Sequence, residues 1–328
     1  MAGLVLETDA DGAKRCTGVK VWDGHQLVTA TALREVALSA GSIGSAQILQ
    51  LSGIGNPDAL KPVGVEVQHD LPGVGANLQD HLQIRSVYKV KNAKTLNTLS
   101  SSWWGKAKIG LEYALSRSGP MSMAPSQLGA FTKSDPSQPF ANIQYHVQPL
   151  SLDAFGEPLH SFPAITASVC NLNPSSRGSV TLKSSDFKDA PAIAPNYLST
   201  DEDRQVAADS LRVTRRIMSQ AAMSAFEPEE FKPGAQYQSD DELAKLAGDI
   251  ASTIFHPVGT TRMGKEDDPM AVVNSQLQVR GIRGLRVVDA GVMPTITSGN
   301  TNSPTLMIAE KAAHWMALDA LKNATGNP

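Results

Sequence analysis

Cysteine is nearly missing from this sequence: Cys16 and Cys170 are the only two in 328 residues. They could pair at most once and lack metal-ligand spacing, so a disulfide scaffold and a metal site are both excluded and buried thiols are expected. Neither sign of charge is in excess, with 29 Lys and Arg against 32 Asp and Glu. That balance gives no electrostatic footprint for nucleic acid or an anionic membrane. No apolar run approaches the ~18 residues of a spanning helix, so no transmembrane segment is expected. The opening Met1-Ala2-Gly3-Leu4-Val5-Leu6-Glu7-Thr8-Asp9 has no basic flank and no long apolar core. It reads as the middle of a β-strand and not as a signal peptide. Internal repeats and low-complexity tracts are also absent. A cytoplasmic location is expected, with peripheral membrane association as the alternative.

What is present suffices for a large core. Hydrophobic residues make up 41% of the chain, enough for two domains or one elaborated one. Thr17-Gly18-Val19-Lys20-Val21-Trp22 alternates with period two, Asp23-Gly24 is a hairpin turn signal, and Gln26-Leu27-Val28-Thr29-Ala30 returns. Glu35 to Gly41 reads as a buried strand ending in glycine. Residues 42–51 continue as a helix, with Ile43, Gln47, Ile48 and Leu51 at helical spacing. This strand–glycine–helix order is what a dinucleotide-type domain uses beside a cofactor. From about residue 84 the texture changes to alternating strands at 84–90, 142–147 and 164–169. Helices are expected near 103–116 and 201–222, the second opened by Ser199-Thr200-Asp201-Glu202 with a cap and first-turn acids. The tail after Leu321 is expected to fray.

The last eighty or so residues carry the chemistry. His256 follows Ile254-Phe255 and precedes Pro257-Val258-Gly259-Thr260-Thr261. An imidazole near neutral pKa beside apolar walls is what alcohol deprotonation requires. The run Leu285-Arg286-Val287-Val288-Asp289-Ala290 reads as a strand. Ser298-Gly299-Asn300-Thr301-Asn302-Ser303-Pro304-Thr305 then opens a helix, with Ser303 as the expected cap and Pro304 in the first turn. Leu306, Ala309, Ala312, Ala313, Met316 and Ala317 are expected to form its buried stripe. Other histidines have blander readings: His81 as a turn anchor, and His146 as either a pocket-lining or a half-exposed sheet residue. His25, His69, His160 and His314 receive no role.

This C-terminal stretch resembles the glucose–methanol–choline family of FAD-dependent oxidoreductases. Gly41-Ser42-Ile43-Gly44-Ser45-Ala46 through Ser52-Gly53-Ile54-Gly55 is similar to the family's second signature. Ala46 stands where the family usually has proline, and Gly44 and Asn56 also depart. Proline in a first turn only presets φ, so its loss is expected to matter little. Leu71-Pro72-Gly73-Val74-Gly75-Ala76-Asn77-Leu78-Gln79-Asp80-His81 resembles the segment that leads from FAD domain to substrate domain. Residues 173–180 and 191–198 also resemble family segments and are assigned structure, as turn chemistry between strands.

The resemblance implies an α/β (α+β) fold. It would combine an incomplete Rossmann-like FAD-binding domain with a mainly antiparallel-sheet substrate domain carrying helices. The expected boundaries are 1–83 for the FAD part, 84–250 for the substrate domain, and 251–328 for the histidine segment returning to the FAD domain. It implies FAD as cofactor, a small primary alcohol as substrate, and His256 and Asn300 as catalytic residues. Asp289, Ala290, Asn300, Thr301 and Asn302 would hold the cofactor, with the positive end of the terminal helix stabilising charge on the reduced flavin. Phe255 and His146 would line the substrate pocket. The family's Gly-x-Gly-x-x-Gly phosphate turn occurs nowhere in the sequence. The chain therefore reads as a C-terminal portion of an alcohol dehydrogenase of this kind, which an N-terminal FAD-binding partner chain could complete. The competing reading is a non-catalytic remnant, or a subunit of a split enzyme unable to hold FAD alone.

Overall fold

A computed structural model describes residues 1–124, 126–154 and 156–325. The chain divides into two compact units, one of Met1–Asp80, Ser176–Asn196 and Phe255–Pro328, the other of His81–Ser175 and Tyr197–Ile254. Helix and sheet are mixed in both, with most strand pairs antiparallel. Neither cysteine forms a disulfide, and both are buried. Among the described residues no helix is long and apolar enough to cross a membrane, and no cluster could hold a metal ion.

In the first unit, strands Gly3–Thr8, Lys14–Trp22 and Leu27–Thr31 form an antiparallel meander. The expected turn closes it, because the Asp23 carboxylate accepts the N–H groups of both His25 and Gln26 at 2.8 Å. Beside it, Val36–Leu38 and Leu285–Val287 pair in parallel, joining parts of the chain far apart in sequence. Helix Gly41–Leu51 leaves the first of these strands through a glycine at φ +77°. Leu38, Leu49, Ile54, Val258, Val273, Leu285 and Val292 share one core cluster with Ile308 and Ala312 of the terminal helix. Ala46 lies beyond the helix's first turn, fully buried against Leu78 and Val180. Its packing therefore matters more than the φ argument allowed.

The terminal helix, Asn302–Thr325, begins before its expected cap, so Ser303 sits inside the first turn. It continues past Leu321, and residues 326–328 lie outside the described set. Its buried side is narrower than expected: Ile308 and Ala312 are buried, whereas Leu306 is 63% exposed and Ala313 and Ala317 face water. Alanine tolerates either environment, so an alanine-rich helix has no sharp apolar stripe to read.

The second unit is built on a six-stranded antiparallel sheet. Leu82–Lys89 pairs with Ala164–Asn171, which pairs with Ile143–Gln148 and then Leu128–Thr132. Helix Asp201–Met218 is capped as read, Thr200 accepting the Asp203 N–H at 3.2 Å. It stops at Met218, and a separate 3-10 turn, Ala221–Phe226, follows. This helix and Asp240–Asp249 cover one sheet face, packing Val206, Leu211 and Leu243 against Ile84, Tyr145 and Val169. Arg215 grips Glu230 of the edge strand Glu229–Lys232 through two bonds of 2.9 Å. The helix Trp103–Ser116 forms where expected, but none of its residues is buried.

One ion cluster fastens the terminal helix to the rest of the first unit. Arg286 is 2% exposed, donates to Glu35 at 2.7 Å and to the Gln276 carbonyl at 2.8 Å, and pairs with Asp319. Replacing it strands two carboxylates that keep partial access to water. Arg286→Met should therefore lower unfolding stability by about 3 kcal/mol, the low end for a broken buried pair. Urea titration checks this, and an unchanged midpoint at unchanged slope would show the cluster to be dispensable.

Candidate active site

His256 lies in the first unit in a turn that the fold holds under tension. Phe255 before it has φ +64°, a left-handed conformation that costs a bulky residue about 1–3 kcal/mol, and its ring is 71% exposed. The Asp80 carboxylate accepts the backbone N–H of His256 at 2.9 Å. Next to it Gln79 and Val258 exchange backbone hydrogen bonds of 3.0 and 2.8 Å. The Gln79 amide donates to the Pro294 carbonyl at 3.1 Å and accepts the Ile296 N–H at 3.1 Å. Asn77 donates to the carbonyls of Gly259 and Pro294, each at 3.2 Å. One short segment, Asn77 to Asp80, thus holds both the histidine turn and the loop leading to Asn300. Sequence reading treated it as a linker and missed Asp80 and Gln79. Its only signal is a cluster of amides and a carboxylate where a linker needs none.

The two glycines of the histidine segment's surroundings are required by close approach. A Cβ on Gly259, at φ +91°, would stand 2.5 Å from the Asn77 carbonyl oxygen. One on Gly291 would stand 2.5 Å from the Thr261 hydroxyl. That contact exists because residues 259–263 run alongside 290–292, with Thr261 N–H donating to Gly291 at 2.9 Å and Met263 N–H to Val292 at 2.8 Å. The structure therefore brings His256's segment against Asp289-Ala290.

Asp289 is turned inward. Its carboxylate is 6% exposed and accepts from the Gly41 N–H at 3.0 Å, the Ser45 hydroxyl at 2.6 Å and the Gly291 N–H at 2.8 Å. Helix Gly41–Leu51 has no side-chain cap of its own, so this distant carboxylate serves as one. Ser42 completes the knot by donating to the Pro257 carbonyl at 2.6 Å while its own carbonyl accepts from Thr260. Burial raises the Asp289 carboxyl above its ordinary range, against the lowering effect of its three donors.

Asn300 and Asn302 are exposed at the start of the terminal helix, preceded by a tight turn in which Gly299 N–H bonds Thr297 at 2.8 Å. Thr301 is 7% exposed, and its carbonyl accepts both the N–H and the hydroxyl of Thr305. His146 belongs to the second unit, on strand Ile143–Gln148, where burial lowers its pKa. His81 is fully buried, its ring bonded to the Leu172 carbonyl at 3.2 Å, which fits the anchoring role.

Comparison with known proteins gives one consistent family. The family model described as GMC oxidoreductase matches residues 4–83 with its N-terminal part and 174–309 with its C-terminal part. An oxygen-dependent choline dehydrogenase of Klebsiella pneumoniae subsp. pneumoniae is 42% identical over 302 residues, covering 92% of this chain and 54% of that protein. Oxygen-dependent choline dehydrogenase 1 of Chromohalobacter salexigens is 40% identical over 316 residues, 94% of this chain and 56% of that protein. The chain thus spans about half the length of the relatives it matches. Among solved structures, a pyridoxine 4-oxidase from Mesorbium loti superposes with a TM-score of 0.80 at 27% identity, over 96% of this chain and 56% of that one. An Aspergillus oryzae formate oxidase shares the fold at a TM-score of 0.87 and 24% identity, over 97% and 59%.

Ser45→Ala should destabilise the protein by about 1.5–3 kcal/mol, the usual value of a hydrogen bond to a charged group. Because the folded-state pKa of Asp289 is raised, its ionised form penalises folding above that pKa, and the penalty is relieved as pH falls toward the unfolded value. The gap between variant and wild type should therefore narrow on acidification, as the carboxylate that needs the donor disappears. Urea midpoints across pH 4–7 measure it, and a gap that widens toward acid would place the important charge elsewhere.

Proposed function

The chain belongs to the GMC oxidoreductase family, and from that premise we propose that it serves in the FAD-dependent oxidation of a primary alcohol to an aldehyde. The observation that carries this reading is His256 set in a turn that Asp80, Gln79 and Asn77 fix from behind. Fixing the main chain leaves the imidazole with a defined origin, which a general base needs more than it needs an unusual pKa.

The terminal helix supports a place for the flavin. Its first-turn N–H groups lack partners within the helix and carry the positive end of its dipole. Polar Asn300 and Asn302 stand there beside Leu306 and Met307, both about 60% exposed. Donors next to a bare apolar surface suit a flat ring whose rim carries carbonyl oxygens. On this reading Asn300, Thr301, Asn302 and the backbone at Ala290 would hold the flavin end. Asp289 would act one layer back, fixing Ala290-Gly291 through its bond to the Gly291 N–H. FAD, when bound, supplies the two-electron acceptor for the hydride from the alcohol's α-carbon. His256 takes the hydroxyl proton, and Asn300 donates a hydrogen bond to the oxygen as negative charge gathers on it. Phe255, next to the base, shapes the substrate's surroundings. The relatives' names make choline one candidate substrate beside aliphatic and aryl alcohols.

With FAD and an N-terminal FAD-binding partner chain both supplied, His256→Ala should bleach flavin with a primary alcohol at least ~100-fold more slowly in stopped flow. An unchanged rate would move the base elsewhere, and no alcohol-dependent bleaching in the wild type would overturn the reading.

Asn300→Ala should slow the same step by about two orders of magnitude, equal to about 2.7 kcal/mol of transition-state stabilisation. Its exposed position predicts an unchanged melting temperature, and Asn300→His should keep part of the rate. A lowered melting temperature with normal reduction per folded molecule would make Asn300 a turn former only.

A further inference from the structure

Helix Trp103–Ser116 of the second unit is closed at both ends without being buried. Ser102 accepts the Gly105 N–H at 3.1 Å at its start, and Arg117 ends it in the left-handed conformation. At about 100° per residue, Trp103, Trp104, Ala107, Leu111, Ala114 and Leu115 share an arc of about 120°. A surface helix ordinarily turns such an arc toward the core. This one does the reverse. Gly105, Ile109 and Tyr113, on the opposite side, are half-buried, whereas Trp103, Trp104, Leu111 and Leu115 are between 60% and 79% exposed.

The size of the arc and its rim decide what it can take. A 14-residue helix is about 21 Å long and about 10 Å wide, so one face offers roughly 200 Å². A second copy of the chain would need ~800 Å² per partner for a stable interface. Spanning a bilayer would need ~20 apolar residues, and Lys106, Lys108 and Glu112 interrupt this run. Lying in the bilayer's interface makes neither demand. Indole rings favour that boundary, and Trp103 and Trp104 form an edge-to-face pair with centroids 4.6 Å apart. The following turn, Pro120–Ser122, packs on the helix and leaves Met121 exposed.

Charge points the same way. Lys106 and Lys108 flank the arc, one on each side, and neither has an ion-pair partner among the described residues. Residues 100–124 hold these two and Arg117 against Glu112 alone, although the whole chain carries a net charge of −3. The overall balance of charge conceals a basic rim around an apolar face.

We infer that helix Trp103–Ser116 seats the chain on the surface of a bilayer containing anionic phospholipid. It lies parallel to that surface, with indoles and leucines among the upper acyl carbons and lysine stems reaching up to the phosphates.

Flotation of the full chain with vesicles of phosphatidylcholine and phosphatidylglycerol tests this. The chain should float with them, its tryptophan emission shifting to the blue, and should bind pure phosphatidylcholine roughly ten-fold more weakly or worse. Trp103→Ser combined with Trp104→Ser should weaken binding by about ten-fold or more and remove the blue shift. Both rings are exposed, so the melting temperature should not change. Lys106→Gln combined with Lys108→Gln should weaken binding to the mixed vesicles by about ten-fold and leave the phosphatidylcholine value unaltered. Leu33→Ser, at a leucine 98% exposed in the first unit, should float like the wild type. Absent flotation, flotation indifferent to the tryptophan or lysine variants, equal binding to both vesicle types, or flotation lost with Leu33→Ser each overturns the assignment. So does a dimer in sedimentation equilibrium that the tryptophan substitutions dissolve, which would make a second copy the occupant.

Discussion

The first unit depends on one buried carboxylate. Asp289 caps a helix that starts at Gly41, receives the hydroxyl of Ser45 and closes the turn at Gly291. Without it the helix would begin with unsatisfied N–H groups beside the parallel strands, and the segment carrying His256 would lose the ladder it leans on. A carboxylate placed this way is costly to bury and costly to remove, so it specifies the arrangement more than it stabilises it. The glycines at 259 and 291 follow from the same demand, since backbones held this closely leave no room for a side chain.

The second unit solves a different problem. Its sheet buries an apolar face under two helices in the ordinary way, and on the opposite side it buries the cross-strand partners Arg85 and Ser168. The first unit's rigidity and the second unit's buried donors are separate properties, arising from separate parts of the chain.

Much of this was legible in the sequence. Alternation located the sheet strands, and cap chemistry located the helix after Thr200, because both are local signals that survive any tertiary context. The sequence also marks His256, Asp289 and Asn300 as candidates, and the fold runs residues 259–263 beside 290–292. The roles of Asp80 and Gln79 were not legible, since each works by bonding backbone far away in sequence. Nor was the pairing of Arg85 with Ser168, because register between strands is a three-dimensional fact. Several residues from Ser298 to Ser303 could cap a helix, and propensity alone could not choose among them.

The link between Ser45 and Asp289 spans 244 positions. A chain emerging from a ribosome at roughly 5–20 residues per second delivers the second partner some 12–50 s after the first. During that interval helix Gly41–Leu51 has no cap, and strand Val36–Leu38 has yet to meet Leu285–Val287. The second unit's sheet is complete about 2–7 s before then, since its last strand ends at Thr253, 36 residues ahead of Asp289. Within these segments birth order therefore inverts sequence order: the second unit's strands are made before Leu285–Val287 and Asp289 reach strand Val36–Leu38 and helix Gly41–Leu51.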